Sequence, residues 1–200
     1  MADRPRHPIP RKLFLLRGSD EYQRWVYRAR SYPRLPEKLR DQLLHIEPTV
    51  RQDGACYWPV RATLRDGSVL DRACVMDAEA YMKSFARPWP ELLADALSVS
   101  ILEIEEFAPA PCRLPRRLVN KLQRSDEFKA GAAAYTLHLK NGGTIPIMAA
   151  DGLLDFTCLP DGACADDIVD ATPTVAGELA QMQKPERAAW CLANIEGPAD

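Results

Sequence analysis

The residue types best suited to nucleophilic chemistry are six cysteines and three histidines, and their positions limit what they can do. A catalytic Cys–His pair needs a histidine beside a cysteine in the folded protein, and Cys56 with His45 fits this requirement best. However, His45 in LLHIEP ends a predicted helix, where a histidine interacts favourably with the negative helix end. His138 falls on the polar side of a predicted strand, which favours a solvated side chain. We therefore predict a structural role for His45 and a solvated side chain for His138, and we assign no catalytic residue.

A metal site would have to use the segment CLPDGACADD at 158–167, in which Cys158 and Cys164 bracket an Asp161-Gly162 turn. The gap between the cysteines is longer than the two to four residues of usual zinc pairs, and no second Cys or His pair completes a tetrahedral set. The segment also lacks the alternating acids and closing glutamate of a calcium loop. We therefore predict reduced thiols, no metal and no cofactor.

Paired carboxylates occur in EIEEF, where Glu103 and Glu105 share one face of a predicted strand. Two such groups can serve as general acid and base, as in glycoside hydrolysis, but like charges on a strand more commonly keep an exposed face solvated. The motifs of a nucleophile elbow, a phosphate-binding loop and a zinc protease are absent from the sequence. The absence of these motifs favours a protein that is not an enzyme. One alternative is an enzyme of unrecognised type that uses an acidic site.

Charge is distributed unevenly along the chain. Residues 1–40 hold eleven Lys/Arg and four acids, a net charge of +7, whereas residues 41–200 hold fifteen and twenty-four, a net charge of −9. Acidic surfaces speed association with basic partners such as nucleases. We therefore expect a non-catalytic protein-binding module, either an immunity-type inhibitor or an accessory subunit. The residues expected to form its acidic partner-binding face are Glu103, Glu105, Asp161, Asp166 and Asp167.

The basic N-terminal segment supports a second alternative, a nucleic-acid-binding accessory protein. Its basic residues are interleaved with Trp25 and several tyrosines, and such a mixture suits single-stranded nucleic acid, because bases stack on rings while phosphates meet arginine. Against this, the overall pI near 6.0 is low for a nucleic-acid-binding domain. In this alternative the binding residues are Arg11, Lys12, Arg17, Arg24, Arg28 and Arg30.

Two similar segments each predict a short helix, namely RLPEKLRDQL at 34–43 and RLPRRLVNKL at 113–122. Pro36 and Pro115 suit the first helical position, and leucines spaced by four give each helix one apolar face. Each helix is followed by two segments in which apolar and polar residues alternate, as in a β-strand. A two-residue turn, Asp66-Gly67 or Asn141-Gly142, separates the two segments. Such turns are the strongest short signals of a β-hairpin. A further predicted strand and a proline end each copy.

The repeated pattern predicts an α+β fold, in which a duplicated helix–β-hairpin–strand unit with an antiparallel sheet is flanked by N- and C-terminal helices. We expect a basic arm and N-terminal helix at 1–33, repeat units at 34–112 and 113–174, and a C-terminal helix and tail at 175–200. The last helix is predicted between Pro185 and Gly197. Because a lone hairpin is marginally stable in water, the two units are expected to form one compact domain.

The chain resembles segments of small bacterial proteins to which no activity is assigned. The shared pattern is RLP, then spaced leucines, an alternating strand, Asp-Gly and a later D(I/V)V…P. The resemblance covers about half of the chain and implies no functional residue. The N-terminal sequence has only LFLL as an apolar stretch, which is too short for a signal peptide. No apolar run approaches the roughly 20 residues of a membrane span. A cytoplasmic location without membrane contact is expected.

Overall fold

The structure is a computed structural model, and it describes residues 32–51, 54–85, 98–111, 113–126, 134–149, 153–157, 159, 164–174, 183 and 187–195. The chain divides into two compact units. Unit 1 comprises residues 1–108 and 189–200, and unit 2 comprises residues 109–188. The chain therefore leaves unit 1 after Ala108, forms unit 2, and returns to unit 1 for its last residues.

The described helices and strands are named in chain order. The α-helices are α1 (Glu37–Leu44), α2 (Ala78–Phe85) and α3 (Arg116–Arg124). The strands are β1 (Thr49–Val50), β2 (Cys56–Leu64), β3 (Val69–Asp77), β4 (Ser98–Ser100), β5 (Ile104–Pro109), β6 (Ala134–Leu139), β7 (Thr144–Met148), β8 (Ile168–Pro173) and β9 (Ala189–Ala193). Two 3-10 turns, Ile101–Glu103 and Ala165–Asp167, lead directly into β5 and β8. No helix in the described ranges is long and apolar enough to cross a bilayer.

Unit 1 is built on a six-stranded sheet with the order β1-β2-β3-β9-β4, in which β5 also pairs with β2. Strands β2 and β3 form an antiparallel hairpin closed by Asp66-Gly67, and the φ of +84° at this glycine is one that other residues rarely adopt. In contrast, β9 runs parallel to both of its neighbours, β3 and β4. All five residues of β9 are buried, so the C-terminal segment completes the middle of the sheet.

Both faces of β9 are packed against other parts of unit 1. Cys191 belongs to the same core cluster as Leu39 of α1. Because side chains alternate along a strand, the preceding residue, Trp190, points to the opposite face. There its ring makes edge-on contacts with Tyr57 of β2 and Tyr81 of α2, at centroid distances of 6.1 and 4.9 Å. The strand therefore joins two apolar layers, one under α1 and one under α2.

Unit 2 contains a three-stranded antiparallel sheet with the order β7-β6-β8. Its hairpin is closed by Asn141-Gly142, whose glycine has a φ of +82°. Leu118 and Leu122 of α3 share a core cluster with Tyr135 of β6, and burying one leucine stabilises a fold by roughly 1.5–3 kcal/mol. The hydroxyl of Tyr135 donates to the carbonyl of Phe156 at 3.1 Å. The polar end of this buried ring is therefore satisfied.

The elements whose signals are local agree with their predictions. Helices α1 and α3 begin directly after Pro36 and Pro115, one residue later than predicted. The carbonyl of Pro36 accepts the N–H of Arg40 at 2.9 Å, so the proline still starts the hydrogen-bond pattern. Both hairpins form at their predicted turns. The leucines of the two predicted apolar faces are buried, namely Leu35, Leu39, Leu43, Leu114, Leu118 and Leu122.

The predicted α+β fold, a duplicated unit between two terminal helices, is wrong. Strands predominate among the described residues, and the two sheets differ, since unit 1 has a mixed sheet of six strands and unit 2 an antiparallel sheet of three. The helix predicted between Pro185 and Gly197 is replaced at its centre by β9. Burial on both faces leaves AWCLA without the alternation that marks a strand, so its sequence does not distinguish a strand from a helix. The predicted N-terminal helix falls almost entirely within residues 1–31, outside the described residues.

Candidate functional site

The predicted acidic residues of unit 1 lie where a 3-10 turn passes into β5. The side chain of Ser100 accepts the N–H of Leu102 at 3.3 Å and so starts the turn. Ile101, Ile104 and Phe107 belong to the core, which directs the residues between them outward. The exposed residues of this segment, named here the acidic strip, are Leu102, Glu103, Glu105 and Glu106.

Two contacts fix the position of the acidic strip. The backbone N–H of Arg65, next to the hairpin turn of unit 1, donates to the carbonyl of Glu103 at 2.9 Å. The ammonium of Lys38 in α1 donates to the carboxylate of Glu105 at 2.8 Å. This hydrogen bond, together with the charge of Lys38, holds the pKa of Glu105 below its ordinary value. Because both side chains are largely exposed, the ion pair orients Glu105 more than it stabilises the fold.

The acidic strip combines uncompensated negative charge with an exposed apolar side chain. Glu103 and Glu106 form no ion pair with any residue in the part of the chain that the structure describes. Leu102, beside them, is 54% exposed. Protein interfaces commonly place apolar side chains inside a polar or charged rim. The strip can therefore attract a basic surface electrostatically and offer it one apolar contact.

The other predicted acidic residues belong to unit 2. Asp167 accepts the backbone N–H of Cys164 at 2.9 Å and lies 3.5 Å from its thiol sulfur, contacts that close the 3-10 turn before β8. The backbone hydrogen bond, followed by the thiol contact, holds the pKa of Asp167 below its ordinary value. Asp166 is exposed beside it, and Asp161 lies outside the described residues. Asp166 and Asp167 thus form an acidic pair of their own, in which Asp167 already has a structural role.

Other sites considered from the sequence are described only in part. The candidate nucleic-acid-binding residues Arg11, Lys12, Arg17, Arg24, Arg28 and Arg30 all lie outside the described residues, as does Cys158. His45 is exposed just after α1, and its N–H donates to the carbonyl of Gln42 at 3.1 Å, at the predicted helix end. Within the described ranges, no group of three His, Cys, Asp or Glu side chains could hold a metal ion.

Unit 2 also holds a polar cluster that is not evident from the sequence. His138 of β6 is paired in register with Asp170 of β8, and Nε2 of His138 lies 2.9 Å from Oγ1 of Thr172. Lys121 of α3 contacts both carboxylate oxygens of Asp170, at 2.6 and 2.7 Å. The hydrogen bond from Lys121 is the main reason that the pKa of Asp170 is held below its ordinary value. Because Asp170 is engaged by Lys121, the cluster fits a structural role, joining β8 to β6 and to α3.

The chain matches no protein-family model, no curated protein and no solved structure. Its function must therefore be inferred from its own side chains. The acidic strip is the basis for that inference, because its exposed leucine lies beside carboxylates without ion-pair partners among the described residues.

Proposed function

We propose that the chain is a non-catalytic protein-binding module, acting as an immunity-type inhibitor or an accessory subunit, and that its acidic strip binds a basic partner protein. The supporting observation is the position of Leu102, more than half exposed at 54%, next to Glu103 and Glu106. A partner that covers a leucine side chain gains roughly 1.5–3 kcal/mol from its burial. The same partner would pair its cations with carboxylates that have no ion-pair partner among the described residues.

The charges of the acidic strip determine what kind of partner it attracts. Lys38 compensates Glu105, so Glu103 and Glu106 carry the remaining attraction for positive charge. Complementary surfaces of this kind raise the association rate more than they raise affinity. Salt screens exposed charges beyond about 8–10 Å at physiological ionic strength. Binding should therefore be fast at low salt and slower as salt is added.

The geometry of β5 favours recognition of side chains over the addition of a partner strand. An open sheet edge offers unpaired N–H and C=O groups to another strand. In unit 1, however, the side-chain oxygen of Gln42 in α1 accepts the N–H of Phe107 in β5 at 2.8 Å. Since α1 occupies part of this edge, a partner would meet the side chains of the acidic strip and not the β5 backbone.

Affinity capture with the full-length chain tests the proposal. The wild type is compared with a variant that changes the strip, Leu102→Ala/Glu103→Gln/Glu106→Gln. A control variant, Glu47→Gln/Asp71→Asn, removes the same charge from exposed positions of unit 1 outside the strip. Proteins released by salt are identified by mass spectrometry, purified, and titrated with the three forms of the chain.

We expect one basic protein to bind the wild type and the control in the titration and to lose binding with the strip variant. Equal binding to all three forms, or a captured protein that is itself acidic, would contradict the proposal.

A further inference from the structure

Helix α3 of unit 2 carries an excess of positive charge. Its sequence, RRLVNKLQR, contains four basic residues and no acid. By contrast, α1 of unit 1, EKLRDQLL, balances two acids with two bases. Asp170 compensates Lys121, whereas the exposed Arg117 and Arg124 form no ion pair with any residue that the structure describes. The outer surface of α3 is therefore locally positive.

The guanidinium of Arg117 is held in position by strand β8. Its Nη1 donates to the carbonyl of Val169 at 3.2 Å, and its Nη2 donates to the carbonyl of Ile168 at 3.3 Å. These acceptors are neutral, so they position the cation without compensating its charge. A guanidinium has five N–H donors, and most are left for another acceptor. An anion that binds here does not have to order the side chain first, which lowers the entropic cost of binding.

Arg124 extends the positive surface along the helix. It follows Arg117 by seven residues, which is about two helical turns and about 10 Å, so the two arginines share one side of α3. Arg124 is exposed and forms no ion pair with any residue that the structure describes. Its position in the last turn is favourable, because cations are stabilised at the negative end of a helix. The two cations are far enough apart to contact different phosphates of one nucleic acid.

The composition of the outer face favours phosphate over a protein surface. The apolar residues Leu118, Val119 and Leu122 are buried in unit 2. The residues of α3 that are exposed or half-buried are Arg116, Arg117, Asn120, Lys121, Gln123 and Arg124. None of these is apolar, whereas protein interfaces usually need an apolar or aromatic centre. Arginines and amide donors are instead the usual contacts to phosphate oxygens.

We propose that the outer face of α3 binds the phosphate backbone of nucleic acid, with Arg117 and Arg124 as the residues that contact phosphates. Contacts to phosphates carry no sequence information, so the binding is independent of base sequence. This surface lies in unit 2 and attracts the opposite charge from the acidic strip of unit 1. The two proposals can therefore succeed or fail separately.

Fluorescence anisotropy of a labelled DNA duplex of about 20 base pairs, titrated with the full-length protein, tests this proposal. Two to three phosphate contacts predict a dissociation constant on the order of 10⁻⁴ M near 20 mM salt and a slope of log K against log salt between about −2 and −3. Arg117→Gln and Arg124→Gln should each weaken binding by about tenfold or more at that salt and reduce the slope by about one. The control is Arg65→Gln, which removes the same charge from an exposed position of unit 1 and should change the affinity by less than about twofold.

Three outcomes would overturn the proposal. The first is no binding near 20 mM salt. The second is an equal loss of affinity with Arg65→Gln and with the two α3 variants, which would show that only total charge matters. The third is binding of polyglutamate as tight as binding of DNA at the same charge concentration, which would assign α3 to an acidic protein partner. Far-UV circular dichroism of each variant confirms that the fold is retained.

Discussion

Asp77 accepts a hydrogen bond from the backbone N–H of Ile195 at 3.2 Å, although the two residues are 118 positions apart in the sequence. The other carboxylate oxygen of Asp77 accepts the N–H of Ala80 at 2.9 Å, in the first turn of α2. Asp77 is the last residue of β3, and Ile195 follows closely after β9. One carboxylate therefore joins the ends of two neighbouring parallel strands to the start of a helix.

The substitution Asp77→Ala is expected to destabilise unit 1 by about 1–3 kcal/mol, because it removes a helix cap and leaves the N–H of Ile195 without its acceptor. Urea unfolding followed by tryptophan fluorescence measures this effect, since the sequence of unit 2 contains no tryptophan, whereas Trp58 and Trp190 lie in the sheet of unit 1. Asp71→Ala is the control. Asp71 lies 3.0 Å from Arg61 in an exposed ion pair, and its loss should cost less than about 1 kcal/mol. Equal losses for the two variants would contradict the role given to Asp77.

The central position of β9 predicts that Cys191 is chemically protected. Burial raises the pKa of the Cys191 thiol to about 12, and only the thiolate reacts with alkylating reagents. At pH 8 roughly one molecule in ten thousand would carry that thiolate. We expect iodoacetamide to modify the exposed Cys164 in the native protein and Cys191 only in urea, as peptide mass spectrometry can show. Similar native rates at the two cysteines would mean that β9 is not held within the sheet.

The ion pair between Lys121 and Asp170 predicts a contribution to stability that depends on pH. The folded protein holds the pKa of Asp170 below its ordinary value, first through the hydrogen bond from Lys121. A lowered pKa in the folded state stabilises the protein above the unfolded pKa, near 3.9, and this stability is lost as the pH falls through the folded value. Because the two side chains are 49% and 43% exposed, the contribution is at most about 1 kcal/mol.

Lys121→Met should therefore lower the free energy of unfolding at pH 7, and this effect should become smaller toward pH 2 as the pH falls through the lowered pKa of Asp170. Urea unfolding followed by far-UV circular dichroism at the two pH values measures the difference. Arg124→Met, at an exposed position of α3 that forms no ion pair with any residue the structure describes, is a control for the loss of a surface cation. A loss of stability that is the same at both pH values would indicate lost packing and not a lost ion pair.

The parts of the fold that the sequence predicts correctly are those determined by residues close together in the sequence. Asp66-Gly67 and Asn141-Gly142 predict their turns because the glycine in each supplies a positive φ. Leucines spaced by four predict the buried faces of α1 and α3. In contrast, β9 is a strand because β3 and β4 lie on its two edges. Both partners are distant in sequence, so no local signal in AWCLA indicates them.

In the candidate sites, too, features set by local sequence are predicted more readily than contacts between distant segments. The alternation in EIEEF predicts one strand face for Glu103 and Glu105. Glu105 does lie in β5, but the prediction is wrong for Glu103, which ends the preceding 3-10 turn. Both side chains are exposed. The relation of His138 to Asp170 and Thr172 depends on the pairing of β6 with β8, which the sequence does not specify. Arg117 lies in a segment that predicts a helix, RLPRRLVNKL. Its contacts with the β8 carbonyls become visible only when α3 is packed against that strand.

Association kinetics between the full-length chain and its purified basic partner test the central claim most directly. At about 20 mM salt, Glu103→Gln/Glu106→Gln should lower the association rate constant several-fold, and this difference should largely disappear at about 500 mM salt as the charges are screened. Leu102→Ala should instead raise the dissociation rate constant by about fivefold or more, because it removes the apolar contact. If both variants associate and dissociate at wild-type rates at low salt, the acidic strip is not the binding surface.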